Sequence, residues 1–146
     1  MHIILPVTLV TAAAAALINF WLALRVGRIR MSEKVLVGDG GNLRLVARMR
    51  AHANLTEYAP FVLILMALIE LAHGSSIWLW IAGAVFIAGR VLHMFGMDGW
   101  QPGRRVGIAT TMVVMLGLAI CAAILPFYHT TPAPITPAPI DLMPAV

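Results

Sequence analysis

The amino-acid sequence predicts an all-α membrane protein, a four-transmembrane-helix bundle forming one domain. Its 146 residues are 61% hydrophobic and only 11% charged, whereas a soluble domain carries about 25% charged residues. The mean hydropathy is +0.92. Four apolar segments are each long enough to cross a hydrocarbon layer of ~30 Å, which needs about 20 helical residues. The expected division is a membrane domain over residues 1–128 and a proline-rich flexible tail over 129–146.

The first segment spans 3–26, with Pro6 in its opening turns, where proline is tolerated. Its arginines lie on the C-terminal flank, which argues for a retained helix rather than a signal peptide. The sequence VGDGGN at 37–42 reads as a turn, and Asn42 as the cap of the second helix, 42–73. The HGSS turn at 73–76 predicts a tight antiparallel hairpin into the third helix, 77–95. The GWQPG turn precedes the fourth, 105–127, which opens at Arg104-Arg105. The tail, with its alternating prolines, cannot continue a helix. One cysteine, Cys121, excludes an internal disulfide and is expected to be a small packed residue.

Charge sets the expected orientation. Arg25, Arg28, Arg30, Lys34, Arg44, Arg48 and Arg50 surround the first connection, and Arg90, Arg104 and Arg105 the third. Together they are all 10 lysines and arginines of the chain. The first and third connections share a side in any four-helix arrangement. The positive-inside rule puts that side in the cytoplasm and both termini outside. The pI near 10.2 then reflects membrane topology rather than nucleic-acid binding.

Polar chemistry concentrates in RMRAHANLTEYAP, residues 48–60. At about 100° per residue, Arg50, Asn54, Glu57 and Tyr58 fall on one stripe about 100° wide, while Arg48 and His52 point elsewhere. A helix over 42–73 is roughly 48 Å long, so its first turns stand in the interface and the stripe lies where it enters the membrane. Pro60 is expected to kink the helix and open space beside the stripe. On the third helix Arg90, His93 and Met97 share a face. A membrane-embedded arginine costs roughly 2.5 kcal/mol or more and faces the bundle interior, with Glu57 its expected partner. Such a site suits a small zwitterion with excess negative charge beside an apolar compound. Glutathione fits: arginine forks match its carboxylates, Glu57 its ammonium and Asn54 its peptide groups. A cation near its sulfur favours the nucleophilic thiolate. An anionic lipid head group also suits the arginines. No spacing suggests a metal site.

RMRAHANLTEYAP resembles the signature of the MAPEG family, the membrane-associated proteins in eicosanoid and glutathione metabolism: an arginine, an asparagine, then a glutamate three residues later before a proline-containing apolar run. VGDGGN before the second helix and GRVLHMFGM at the end of the third resemble the family's bacterial branch, in the inner membrane. The resemblance implies a homotrimer with glutathione between subunits at the cytoplasmic side. It implies that Arg50, Asn54, Glu57, Tyr58 and Arg90 bind glutathione and that Arg104 or Arg105 stabilises the thiolate. It places His52 where relatives often carry glutamine or histidine, and Arg28 near a basic residue ending helix one. His93 and Met97 stand where catalytic relatives often have tyrosines. The leading expectation is therefore a glutathione-dependent membrane enzyme that conjugates glutathione to hydrophobic electrophiles or reduces lipid hydroperoxides. The alternative is a non-catalytic lipid- or ligand-binding protein of the same fold.

Overall fold

A computed structural model describes residues 4–128; the proline-rich tail, His2 and His129 lie outside the described residues. Among the described residues there are four helices and no strand: α1 (Pro6–Glu33), α2 (Leu43–His73), α3 (Ile77–Met97) and α4 (Gln101–Tyr128). Each is long and apolar enough to cross a membrane. Large apolar side chains such as Leu17, Phe20, Phe61, Trp78 and Leu116 are exposed, as lipid-facing surfaces require.

The ends follow local chemistry. Asn42 caps α2, its side chain accepting from the Leu45 amide at 3.0 Å. Ser76 caps α3 in the same way through Leu79. Gly38, Gly40 and Gly41 carry the positive φ angles of the first connection. Two boundaries differ from expectation. Helix α1 continues to Glu33, because Ile29 is buried and keeps the last turns packed. Helix α4 begins at Gln101, with Pro102 in its first turn, where a missing N–H costs nothing. Cys121 is exposed rather than packed. The bundle-facing stripe of α4 runs Gly103, Gly107, Thr111, Val114, Leu118, and Cys121 falls off it.

The α2–α3 turn is short, yet the most extensive packing joins α3 to α4 and α1 to α2. Leu22, Leu55, Val62, Met66, Phe86 and Leu118 form the shared core. Glycines set the α3–α4 approach. A Cβ on Gly107 would stand 2.6 Å from the Cβ and backbone nitrogen of His93.

Glu70 holds the opposite end. It is 2% exposed and accepts from the amides of Val7 at 2.9 Å and Thr8 at 2.8 Å and from the Ser75 hydroxyl at 2.7 Å. Leu5, at the N-cap of α1, supplies no side-chain acceptor. The carboxylate of α2 therefore caps α1 across 62 and 63 residues of sequence, with the negative charge at the favourable end of the helix dipole.

Glu70→Ala strands two buried amides, and is expected to cost about 1–3 kcal/mol, seen as a lower unfolding midpoint in detergent. Gly107→Ala overpacks α3 against α4, at a cost of about 1–3 kcal/mol. Gly117, which has nothing within 4 Å of an added Cβ, is the control: Gly117→Ala leaves the midpoint unchanged.

Candidate functional site

The apolar bundle contains one deeply placed guanidinium, and its bonds organise the site. Arg90 is 3% exposed. Its Nη1 donates to Asn54 Oδ1 at 2.6 Å and its Nη2 to the Gly107 carbonyl at 2.8 Å. One side chain of α3 thus ties α2 to α4. The Gly107 carbonyl also accepts from the Thr111 hydroxyl at 2.9 Å. Gly107 has a double use: it lets α4 approach α3, and that approach brings its carbonyl to Arg90. The Arg90 Nε has no hydrogen-bond partner. The expected Arg90–Glu57 pair is absent. Asn54, one turn before Glu57, takes the guanidinium, and Glu57 is exposed.

The rest of the α2 stripe surrounds this anchor. Arg50 and Glu57 are exposed on the turns either side of Asn54, with Tyr58 half-buried. The Tyr58 phenol lies within electrostatic reach of Arg90. Among the described residues, the side chains of Arg50, Glu57, Arg104 and Arg105 make no hydrogen bond or ion pair. His93 is 4% exposed, and the charges of both Arg90 and Arg104 act on it. The structure therefore brings Arg50, Asn54, Glu57, Tyr58, Arg90, His93 and Arg104 to one end of the bundle. Arg105 is exposed beside Arg104 on the first turns of α4.

His52 and Arg28 are not in this group. His52 belongs to the other side of α2, and its Nε2 is buried without a partner. Arg28 lines a separate hollow with Trp21, Arg25, Arg44 and Arg48. The hollow beside Pro60 also lies away from the stripe. It is a groove of about 240 Å³ between α1 and α2, lined by Ala12, Ala15, Asn19, Leu55, Ala59 and Pro60 among others.

Sequence reasoning missed the ion network that fixes this end. Asp98, in the α3–α4 turn, pairs with Arg25 of α1 and with Arg48 Nε of α2, the latter at 3.0 Å. Arg25 also stacks on Trp21, 4.6 Å from the ring centroid. A lone carboxylate in a turn facing many arginines was the available signal. Arg30 pins the first connection by donating to the Val35 carbonyl at 3.4 Å and the Leu36 carbonyl at 3.3 Å.

Known proteins agree with this architecture. The sequence model of the MAPEG family matches residues 8–124. The chain is 34% identical over 110 residues to the inner membrane protein YecN of Escherichia coli strain K12, covering 72% of this chain and 81% of that protein. The YecN protein of Escherichia coli O6:H1 is similar to the same extent. Four apolar helices, the stripe on α2 and a match across nearly all the described bundle lead to one assignment: the chain is an integral membrane protein that belongs to the MAPEG family.

Proposed function

We propose that the chain is a glutathione-dependent membrane enzyme, conjugating glutathione to hydrophobic electrophiles or reducing lipid hydroperoxides. The observation that carries this reading is the unspent charge around a fixed anchor. Arg90 is held on two sides with its Nε unpartnered, while Arg50, Glu57 and Arg104 are unpaired at the same end of the bundle. Unpaired groups of both signs fit a ligand that itself carries both signs. Arginine forks take the carboxylates, Glu57 the ammonium, and Asn54 and Tyr58 the peptide groups. Arg104 or Arg105 sits by the sulfur and favours its thiolate. The thiolate then attacks an electrophilic carbon that reaches the site from the lipid. As the C–S bond forms, a leaving group such as halide departs with the electrons of its bond to that carbon, or on an activated alkene the π pair shifts to the neighbouring carbon, which takes a proton from water. With a hydroperoxide the sulfur takes the distal oxygen, the alcohol departs, and a second glutathione releases water and leaves the disulfide.

The same reading proposes a homotrimer. The polar stripe and the groove beside Pro60 occupy different sides of α2, as does His52 with its orphaned Nε2. An association that sets one chain's stripe against the next chain's groove is heterologous, and makes a ring where its rotation closes, here proposed at three copies. The positive-inside rule places the site at the cytoplasmic face and both termini outside.

The family resemblance also admits a second reading, a lipid- or ligand-binding protein without catalysis. His93 and Met97 stand where catalytic relatives often carry tyrosines. Calorimetric titration with glutathione tests the proposal. Saturable binding is expected, weakened about tenfold or more by Arg50→Ala and by Glu57→Gln, since each removes a charged contact worth roughly 1.5–3 kcal/mol. No binding to the wild type overturns it. Bound glutathione is expected to show thiolate absorbance that is lost in the Arg104→Ala/Arg105→Ala double variant. Binding with no thiolate and no turnover of apolar electrophiles or lipid hydroperoxides selects the non-catalytic reading.

A further inference from the structure

The hollow between α1 and α2 at the arginine-rich end is chemically distinct from the stripe. It encloses about 230 Å³ and is lined by Trp21, Arg25, Arg28, Ile29, Arg44 and Arg48. Arg44 and Arg48 are shared with a second hollow of about 460 Å³, which reaches Asp98. Four guanidiniums therefore converge from two helices, and among the described residues Asp98 is the carboxylate that lines the adjoining hollow. Asp98 is already used by Arg25 and Arg48. Arg28 and Arg44 make no hydrogen bond or ion pair among the described residues. Arg25 is 7% exposed, and its Nη1 is buried with no acceptor. A buried charged donor left unpaired is costly, and four arginines against one carboxylate leave the hollow strongly positive. Anionic oxygens are what it lacks.

We propose that this hollow binds the phosphate of an anionic phospholipid. Two features favour a lipid over a soluble anion. The first is depth: Arg25 lies about 30 Å along α1 from Pro6 at ~1.5 Å per residue, one hydrocarbon thickness, which is the level of the head groups. The second is the surface leading to the hollow. Leu17, Phe20, Trp21, Leu24 and Arg28 follow the i, i+3, i+4, i+7, i+11 spacing of one helix face. Leu17, Phe20, Trp21 and Leu24 are 71%, 65%, 38% and 41% exposed. An apolar ridge thus runs along the membrane span and ends at the guanidiniums. Acyl chains lie on the ridge, the phosphate enters the hollow, and the Trp21 ring marks the boundary, as aromatic residues do at membrane interfaces. Basic pockets between membrane helices hold anionic head groups by this electrostatics. The hollow shares no residue with the α2 stripe, and Arg44, unlike Arg28, is not among the positions the family resemblance assigns to glutathione, so Arg44 separates the two readings.

Native mass spectrometry of the full chain in a neutral detergent tests the assignment. With dioleoylphosphatidylglycerol and dioleoylphosphatidylcholine offered in equal amounts, the protein is expected to retain the anionic lipid about tenfold or more in preference, at roughly 1 kcal/mol for each arginine engaged. The Arg28→Gln/Arg44→Gln variant is expected to lose that preference. Neither side chain holds a bond in the fold, so the variant's unfolding midpoint is expected to be no lower than that of the wild type. The Arg104→Gln/Arg105→Gln variant removes the same charge elsewhere and is expected to keep the preference. Inorganic phosphate in millimolar excess is expected not to displace the lipid, and Arg44→Gln alone to leave the glutathione titration unchanged. Equal retention of the two lipids overturns the proposal, as does an equal loss in the Arg104/Arg105 variant, which would make the effect one of net charge. Displacement by phosphate overturns the lipid assignment in favour of a soluble anion.

Discussion

An arginine inside hydrocarbon is the constraint on which the helix arrangement depends. A guanidinium cannot be left bare there, so the bundle must deliver acceptors to Arg90. It does so from two directions, with Asn54 on α2 and the Gly107 carbonyl on α4. The second acceptor is a backbone atom already engaged in the α4 helix. Reaching it requires α3 and α4 to approach closely, and glycine at 107 permits that. Packing and electrostatics are thus one problem at this point: the close approach satisfies the charge, and the charge rewards the close approach. The partner is also neutral. A carboxylate in Asn54's place would cancel the cation, whereas an amide orients the guanidinium and leaves its positive field available to something else.

The two ends of the bundle solve the polar problem in opposite ways. At the end near the N-terminus, Glu70 is consumed by three donors from the α1 amides and Ser75. The charge there is buried, fully engaged and directed at a helix N-terminus. At the other end, Asp98 draws Arg25 and Arg48 together across α1, α2 and the α3–α4 turn, but most remaining basic groups find no acid. Stability accounts for Glu70 and Asp98. It does not account for a surplus of unpaired arginines, since removing charge would relieve their mutual repulsion. Positive-inside topology explains that basic residues lie on this side of the membrane. It does not explain why they gather into two separate clusters, one around Arg90 and one around Arg25.

Much of this was legible in the chain because the signals are local or periodic. Four apolar runs gave four helices, Asn42 capped α2 as its position predicts, and one stripe of α2 could be drawn from helical geometry. The cost of an arginine in hydrocarbon also said that Arg90 must face inward. It could not say which stripe residue would meet it, because Asn54 and Glu57 differ by only one turn and depth along α3 is not written in α2. The Glu70 cap was invisible for a related reason. Its donors are backbone amides 62 and 63 residues away, and backbone atoms leave no mark in a sequence. Cys121 and the start of α4 were misjudged because composition does not reveal which stripe of an almost wholly apolar helix is buried.

The distribution of polar groups around α2 also bears on how the proposed site is completed. Within one chain the stripe has Arg90 and His93 behind it, and its Arg50 and Glu57 open outward. The opposite side of the same helix holds a shallow apolar groove against α1, with the orphaned atoms of His52 and Asn19 near it. A buried polar atom without a partner is costly in an apolar layer, and both of these atoms lie inside this side of the bundle. In the proposed assembly, a second copy set on that side would bring an apolar wall to the first copy's stripe. Because the two faces differ, the contact repeats head to tail rather than pairing with itself. In the proposed ring, a neighbour's α1 and α2 would complete each site and give the proposed zwitterionic thiol one polar wall to hold it and one apolar wall from which its reaction partner would enter.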